Sequence, residues 1–147
     1  MISRRILILT AAVILVWSIL SGCGKKAAST SSEQQYSLDE AIAEYTTAKG
    51  GQSQNAEITR LEGVWNGRLI SGTAIVDEVR ESVTPVEGCR LMISAHVDTN
   101  TGQPVRIVIQ VPTDFESQVQ KLPPGSPVSV LCRVAYFPIG YRLVELR

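Results

Sequence analysis

The sequence is poor in the residue types that build catalytic and metal sites. It contains one histidine and three cysteines, and aromatic residues make up 5% of the chain. No combination of His, Cys, Asp and Glu shows metal-site spacing such as CxxC or HExxH. The lone histidine, His96, falls on the polar phase of a predicted strand, where surface residues are common. We therefore predict no catalytic residue, no metal and no other cofactor, and hence no enzymatic activity.

A long transmembrane run is also missing. Two arginines precede an almost wholly apolar run, residues 6–20, and small residues follow it. As a helix of about 1.5 Å per residue, this run would reach about 22 Å, against roughly 30 Å of bilayer hydrocarbon. Positive charge, a short apolar run and small residues in this order are typical of an export signal.

The end of this signal, Leu20-Ser21-Gly22-Cys23, resembles the lipobox of bacterial lipoproteins. The resemblance implies cleavage between Gly22 and Cys23, a lipid on the Cys23 thiol and acylation of the new amine, for example with palmitate. Two or three acyl chains make a durable membrane anchor. The resemblance places the protein on the bacterial cell envelope, facing away from the cytoplasm. The membrane would be the outer one in a Gram-negative host, where Gly24 after the cysteine favours it, and otherwise the cell membrane. An uncleaved helix and an ordinary secretory signal are the alternatives.

The mature chain has no excess of basic charge. Loss of residues 1–22 removes two arginines and no acidic residue, which leaves 125 residues with 12 basic and 14 acidic side chains. The formal charge is then near −2, and the one basic pair near the anchor, Lys25-Lys26, suits anionic lipid head groups. This balance gives no electrostatic footprint for nucleic acid, so we predict no nucleic-acid partner.

Helical spacing is confined to a short segment after the anchor. Residues 23–36 carry the lipidated cysteine and a run of small polar residues, the composition of a flexible tether. Ser37 and Glu40 have the spacing of a capping box, and apolar residues recur at helical intervals behind them, so segment 37–55 is predicted to be a short helix and a loop. That helix either docks on its own domain, docks on a partner or stays partly disordered.

Alternating apolar residues dominate from residue 56 to residue 147. They predict five strands with one short helix between the third and the fourth, the first strand running from about Val64 to Val79. The residues that the alternation of the second, third and fourth strands turns inward are Cys89, Leu91, Ile93, Ala95, Val97, Val105, Ile107, Ile109, Val111, Val128, Val130, Cys132 and Val134.

This order of elements matches the OB-fold, a five-stranded, partly open Greek-key barrel. Residues 71–76 and 124–134 resemble the first and fourth strands of tRNA-anticodon-binding-like OB domains of bacterial exported proteins. The resemblance implies a mainly β fold, an OB-fold-like barrel in the order β-β-β-α-β-β that is preceded by a short N-terminal helix. A different small β-barrel or sandwich is the alternative, and the fold does not identify the ligand.

Two groups of residues are candidate binding surfaces. Arg90, His96 and Arg106 lie on the outward phase of the second and third strands, where OB domains that bind single strands carry aromatic rings, and no aromatic ring is found there. A second group is rich in aromatic rings and crowds the last hairpin or begins the first strand: Trp65, Tyr136, Phe137 and Tyr141. These rings either cover the end of the barrel or form an exposed partner site.

These groups favour a membrane-anchored, non-enzymatic binding module that engages another protein of the cell envelope. A small-ligand or glycan site at the arginines and His96 is the alternative. The two remaining cysteines, Cys89 and Cys132, are predicted to point inward, and they either form a disulfide or remain buried thiols. The oligomeric state is not predicted by any pattern in the sequence.

Overall fold

The computed structural model describes residues 33–147, which form one unit of the chain. The elements, in chain order, are β1 (Gln35–Ser37), α1 (Leu38–Lys49), α2 (Gln54–Trp65), β2 (Leu69–Val86), β3 (Cys89–Val97), β4 (Val105–Pro112), a 3-10 turn (Thr113–Phe115), α3 (Glu116–Val119), β5 (Pro127–Tyr136) and β6 (Gly140–Leu146). Gly22, Cys23 and the whole signal segment lie outside the described residues, so their cleavage and lipidation stay predictions. Within residues 33–147, none of the helices is long and apolar enough to cross a membrane.

The sheet closes into a ring because β2 is long enough to pair with two neighbouring strands. Its first half pairs with β5 and its second half with β3, both antiparallel. The ring continues through the antiparallel pair β3–β4, the parallel pair β4–β6 and the antiparallel pair β6–β5. The register of β2 against β3 shifts between Val76 and Glu78, which gives β2 a bulge where it passes from one neighbour to the other.

The predicted mainly β class is confirmed. Strands β2 to β6, with the short helix between β4 and β5, follow the predicted order, and the alternation that predicted them is visible in the core. Of the thirteen inward residues named from the alternation, all are buried except Val105, which is half-buried. The prediction of five strands is wrong by one, because β1 adds a sixth strand to the sheet.

Helix α1 confirms the helix predicted after Ser37. The Ser37 side chain accepts a hydrogen bond from the Glu40 backbone N–H at 3.5 Å, as the capping spacing requires. The helix docks on its own domain, since Leu38 and Ile42 are buried in the core of the ring. This packing is close: Gly72 of β2 lies under Leu38, and a β-carbon at position 72 would sit 2.5 Å from the Leu38 β-carbon.

Helix α2 corrects the prediction that the alternating pattern begins at residue 56. Ile58, Leu61 and Trp65 recur at intervals of three and four residues and turn one face of α2 toward the core, where Leu61 and Trp65 are buried. Trp65 therefore ends a helix, whereas the sequence placed it in the first strand. That strand begins only at Leu69.

Strand β1 lies where the sequence predicted the end of a flexible tether. Its three residues pair in parallel with Leu69–Ser71 of β2. Just before it, Glu33 forms a two-pronged ion pair with Arg133, with N···O distances of 2.7 and 2.8 Å. The hydrogen bond from Arg133 lowers the pKa of the Glu33 carboxyl. The end of the segment predicted to be a tether is thus fixed to the sheet.

Candidate functional site

The hairpin between β5 and β6 is built on a buried aromatic cluster. Phe137 is fully buried, and its ring stacks on Trp65 with centroids 6.1 Å apart and planes 20° from parallel. Tyr45 of α1 also contacts Phe137, in an edge-to-face arrangement with centroids 6.1 Å apart. Contacts of this kind add to the burial of apolar area. The hairpin is therefore joined to both helices through aromatic rings.

Hydrogen bonds fix the backbone of this hairpin on both sides. The Phe137 N–H donates to Oδ1 of Asn66 at 2.8 Å, and the Tyr141 hydroxyl donates to the Pro138 carbonyl at 2.7 Å. The N–H of Val108 in β4 donates to the Ile139 carbonyl at 2.7 Å. The conformation of the tip is thus set by the protein itself.

Two large apolar side chains stand out from this fixed backbone. Tyr136 is 60% exposed and Ile139 is 49% exposed. We refer to these two residues as the hairpin patch. The structure divides the predicted aromatic group, because Trp65, Phe137 and Tyr141 are buried in the core, whereas Tyr136 is exposed.

The predicted polar site lies on the outer face of β3 and β4, the face that points away from the core. His96 sits opposite Arg106 in the register of these strands, so the two side chains share this face. His96 Nδ1 lies 2.7 Å from Oδ1 of Asp77, the residue at the bulge of β2, and its Nε2 lies 3.9 Å from Asp98. Arg106 is exposed and makes no hydrogen bond or ion pair with the described residues.

Arg90 does not join His96 and Arg106. It lies six residues before His96 on the same strand, which corresponds to about 20 Å at 3.3 Å per residue. Its nearest charged partner is Glu81, at 4.0 Å. The expectation that these three residues converge on one site is therefore wrong for Arg90.

A row of side chains that the sequence did not suggest crosses the same outer face. Arg80, Met92, Gln110 and Arg142 are paired in register across four neighbouring strands. Met92 is only 8% exposed, although it is on the outward phase of its strand, and Oε1 of Gln110 is buried without a hydrogen-bond partner. Neither arginine makes a hydrogen bond or ion pair within residues 33–147. The sequence signal for this row was the presence of polar residues on the outward phase of β2 and β6.

The two cysteines are buried thiols, and they form no disulfide in the structure. They lie on strands that are separated in the ring by β2 on one side and by β4 and β6 on the other. Burial raises the pKa of the Cys132 thiol from 9.0 to about 12. Burial also raises the pKa of Tyr141, with a further contribution from the nearby Cys132. Both groups therefore stay protonated near neutral pH.

Metal ligands do not cluster in the part of the chain that the structure describes. Within it, no group of three or more His, Cys, Asp and Glu side chains is close enough to hold a metal ion. The His96 and Asp77 pair is the tightest contact between the histidine and a carboxylate.

Comparison with known proteins identifies the fold and no family. No protein-family model and no curated protein matches the sequence. The fold itself has been seen before. A lipoprotein from Klebsiella pneumoniae, for which nucleic-acid binding has been suggested, matches 83% of this chain and 100% of its own with 12% identity and a TM-score of 0.51. A small single-stranded DNA binding protein from Mycoplasma pneumoniae matches 54% of this chain and 83% of its own with 10% identity and a TM-score of 0.41. The likeness to the Klebsiella lipoprotein shows a shared fold.

Proposed function

We propose that this protein is a lipoprotein anchored through Cys23 whose OB-like ring of strands is a non-enzymatic binding module for another protein of the cell envelope. The observation that carries the proposal is the hairpin patch, Tyr136 and Ile139. Exposed aromatic and aliphatic side chains are typical of protein interfaces, and these two stand on the same hairpin. Here they also stand on a backbone that is already held by hydrogen bonds and by the buried Phe137 ring.

A fixed backbone favours binding. Association costs free energy for each side chain and loop that must be ordered, so a hairpin that is ordered in advance loses less on binding. A tyrosine adds large contact area and a hydroxyl that can hydrogen-bond to the partner. The hairpin patch therefore has the composition of a small anchor at the centre of an interface.

Site-specific crosslinking in intact cells tests the protein partner. A photo-crosslinking amino acid at position 139 should give a reproducible crosslinked product, and Tyr136→Ala should reduce its yield because the neighbouring contact is lost. The same amino acid at position 129, an exposed serine on β5, is the matched control. Identical products from positions 139 and 129, or none from either, would overturn the proposal.

The anchor has a separate test. Cys23→Ala should move the protein from the membrane fraction to a soluble or unprocessed form, because the thiol that receives the lipid is gone. Retention of residues 1–22 in the native protein, with no shift in the variant, would favour an uncleaved helix.

A small anionic ligand or glycan on the outer face is the second candidate. Arg80 and Arg142 favour it, because they flank Met92 and the unpartnered Oε1 of Gln110 and have no partners of their own among the described residues. Nucleic-acid binding, as suggested for the Klebsiella lipoprotein, has less support here, since the outer face carries no aromatic ring for stacking. Titration with inorganic phosphate and with a sulfated disaccharide, followed by NMR, should shift the amide signals of β3 and β4 in the native protein but not in Arg80→Gln/Arg142→Gln. Unchanged native spectra would eliminate this candidate.

A further inference from the structure

The two long helices enclose a groove that the functional proposal does not use. Helices α1 and α2 are joined by residues 50–53 and pack against each other as a hairpin. The groove along this hairpin has a volume of about 700 Å³. We refer to it as the helix groove. It is built entirely from the segment before the ring of strands.

Carboxylates line the helix groove from both helices. Glu40 and Glu44 are separated by one helical turn on α1, so they lie on one side of the groove, and Glu57 faces them from α2. Arg60 is the one basic residue among the lining side chains. It is already engaged, because its Nη2 lies 2.6 Å from Oε1 of Glu57.

Neither glutamate of α1 forms a close ion pair with a basic side chain within residues 33–147, although Glu44 lies near enough to Arg60 to interact with its charge. Oε2 of Glu44 accepts a hydrogen bond from the Trp65 indole N–H at 2.9 Å, which orients the carboxylate and leaves its other oxygen unengaged. Glu40 has its backbone in the cap of α1 and its side chain exposed. The helix groove therefore carries an excess of two negative charges.

Small and apolar residues lie between these carboxylates. Ala48 and Leu61 are buried at the base of the groove, and Ala43 offers only a methyl group. An extended aliphatic chain can therefore pack on these three side chains. Lysine and arginine combine such an aliphatic stem with a cationic head.

We propose that the helix groove binds a lysine- or arginine-bearing segment of a partner protein. The aliphatic stems lie on Ala43, Ala48 and Leu61, and the cationic heads meet the carboxylates of Glu40 and Glu44 in charge-assisted hydrogen bonds. This surface is additional to the hairpin patch and includes neither of its residues. It gives the module a second contact, with a charge preference that the hairpin patch lacks.

Peptide titration of the full chain tests the charge preference. The 15N-labelled protein, in micelles of an uncharged detergent, is titrated with a nine-residue peptide of alternating lysine and leucine and with its glutamate counterpart. The lysine peptide should shift the amide signals of Ala43, Thr47 and Leu61, and the glutamate peptide should not. Shifts confined to other parts of the protein, or no shifts with either peptide, would overturn the proposal.

Two double variants with the same change in net charge separate the groove from general electrostatics. Glu40→Gln/Glu44→Gln should weaken binding of the lysine peptide about tenfold, as expected for the loss of two exposed ion pairs. Asp39→Asn/Glu62→Gln changes two carboxylates on the same helices that do not line the groove, and it should leave the affinity unchanged. Equal weakening in both variants would mean that only net charge matters, and the proposal would fail.

The fold of the groove variant can be checked independently. Glutamine at position 44 still offers an oxygen to the Trp65 indole, so Trp65 fluorescence should match that of the native protein. Since the crosslinks from position 139 do not involve the helix groove, they report on the hairpin patch whatever the peptide titration gives.

Discussion

At the scale of single residues, Gly72 sets how closely α1 can approach the ring. A β-carbon at this position would overlap the β-carbon of Leu38, and both residues belong to well-packed elements. Gly72→Ala should therefore lower the free energy of unfolding by about 1–3 kcal/mol, the usual cost of overpacking. Urea unfolding measures the change.

A second glycine provides the control for this substitution. Gly63 lies inside α2, and a β-carbon there would meet no atom within 4 Å. Gly63→Ala should raise the stability by about 0.5–1 kcal/mol, because alanine favours the helix. A loss of stability at both positions would show that the close contact with Leu38 is not the cause.

The buried thiol of Cys132 predicts a loss of stability at alkaline pH. The unfolded thiol ionises near its ordinary pKa of 9.0, whereas the folded one ionises near 12. Because the folded state holds this proton more tightly, its stabilising effect is complete below pH 9 and is lost as the pH rises toward 12. The expected slope approaches about 1.4 kcal/mol per pH unit. Tyr141 adds a change of the same sign at higher pH.

Unfolding measured between pH 8 and pH 10 in the native protein and in Cys132→Ala checks this effect. The variant should lose less stability over this interval, since its unfolded state has one thiol fewer to ionise. Curves that stay parallel for the two proteins would contradict the assignment to Cys132.

At the scale of elements, the β5–β6 hairpin depends on Asn66, the residue that follows α2. Asn66→Ala removes the acceptor of the Phe137 N–H and leaves that donor partly buried and unpaired, which should cost about 1–3 kcal/mol. Asn66→Asp keeps an acceptor oxygen and should retain most of the stability. Hydrogen exchange of the Phe137 amide should be faster only in the alanine variant, and equal exchange rates would contradict this account.

The elements also show where the sequence was informative. Helix α1 could be predicted because Ser37 caps it and apolar residues follow at helical spacing. Helix α2 was missed because the segment from Ala56 was interpreted as the start of the alternating pattern, with Trp65 in the first strand, although Ile58, Leu61 and Trp65 carried helical spacing. Strand β1 has three residues, too few for any alternation to be recognised. Its pairing is decided by β2, which lies more than thirty positions further along the chain.

At the scale of the whole molecule, residues 33–147 should unfold as one cooperative unit. Trp65, the one tryptophan among the described residues, touches Tyr36 of β1 and Phe137 between β5 and β6, so its fluorescence reports on helices and ring together. Urea transitions followed by Trp65 fluorescence and by far-UV circular dichroism should share one midpoint. An earlier fluorescence transition would show that the helices separate before the ring unfolds.

The candidate sites could be predicted only in part, because they depend on how the whole chain folds. The sequence singled out Tyr136 and Arg106 because each stands out in its own segment. It could not show that Trp65 covers Phe137, or that Arg80 and Arg142 share a row, since these relations depend on the closure of the ring. The helix groove could not be predicted either, because half of it is formed by α2, the helix that was missed.

The pairing of β1 and the contact between Glu33 and Arg133 have a mechanical consequence. If the chain is held at its N-terminal side, tension enters the domain at Glu33 and is shared by the guanidinium contacts and the backbone bonds of β1. The Arg147 guanidinium lies 3.4 Å from the side-chain oxygen of Gln35, so Arg147 also helps to hold β1 in position. A pull along β1 would load its bonds in shear, together and not one by one. Because Tyr36 of this strand packs on Trp65, the same pull also acts on the aromatic rings beneath the hairpin.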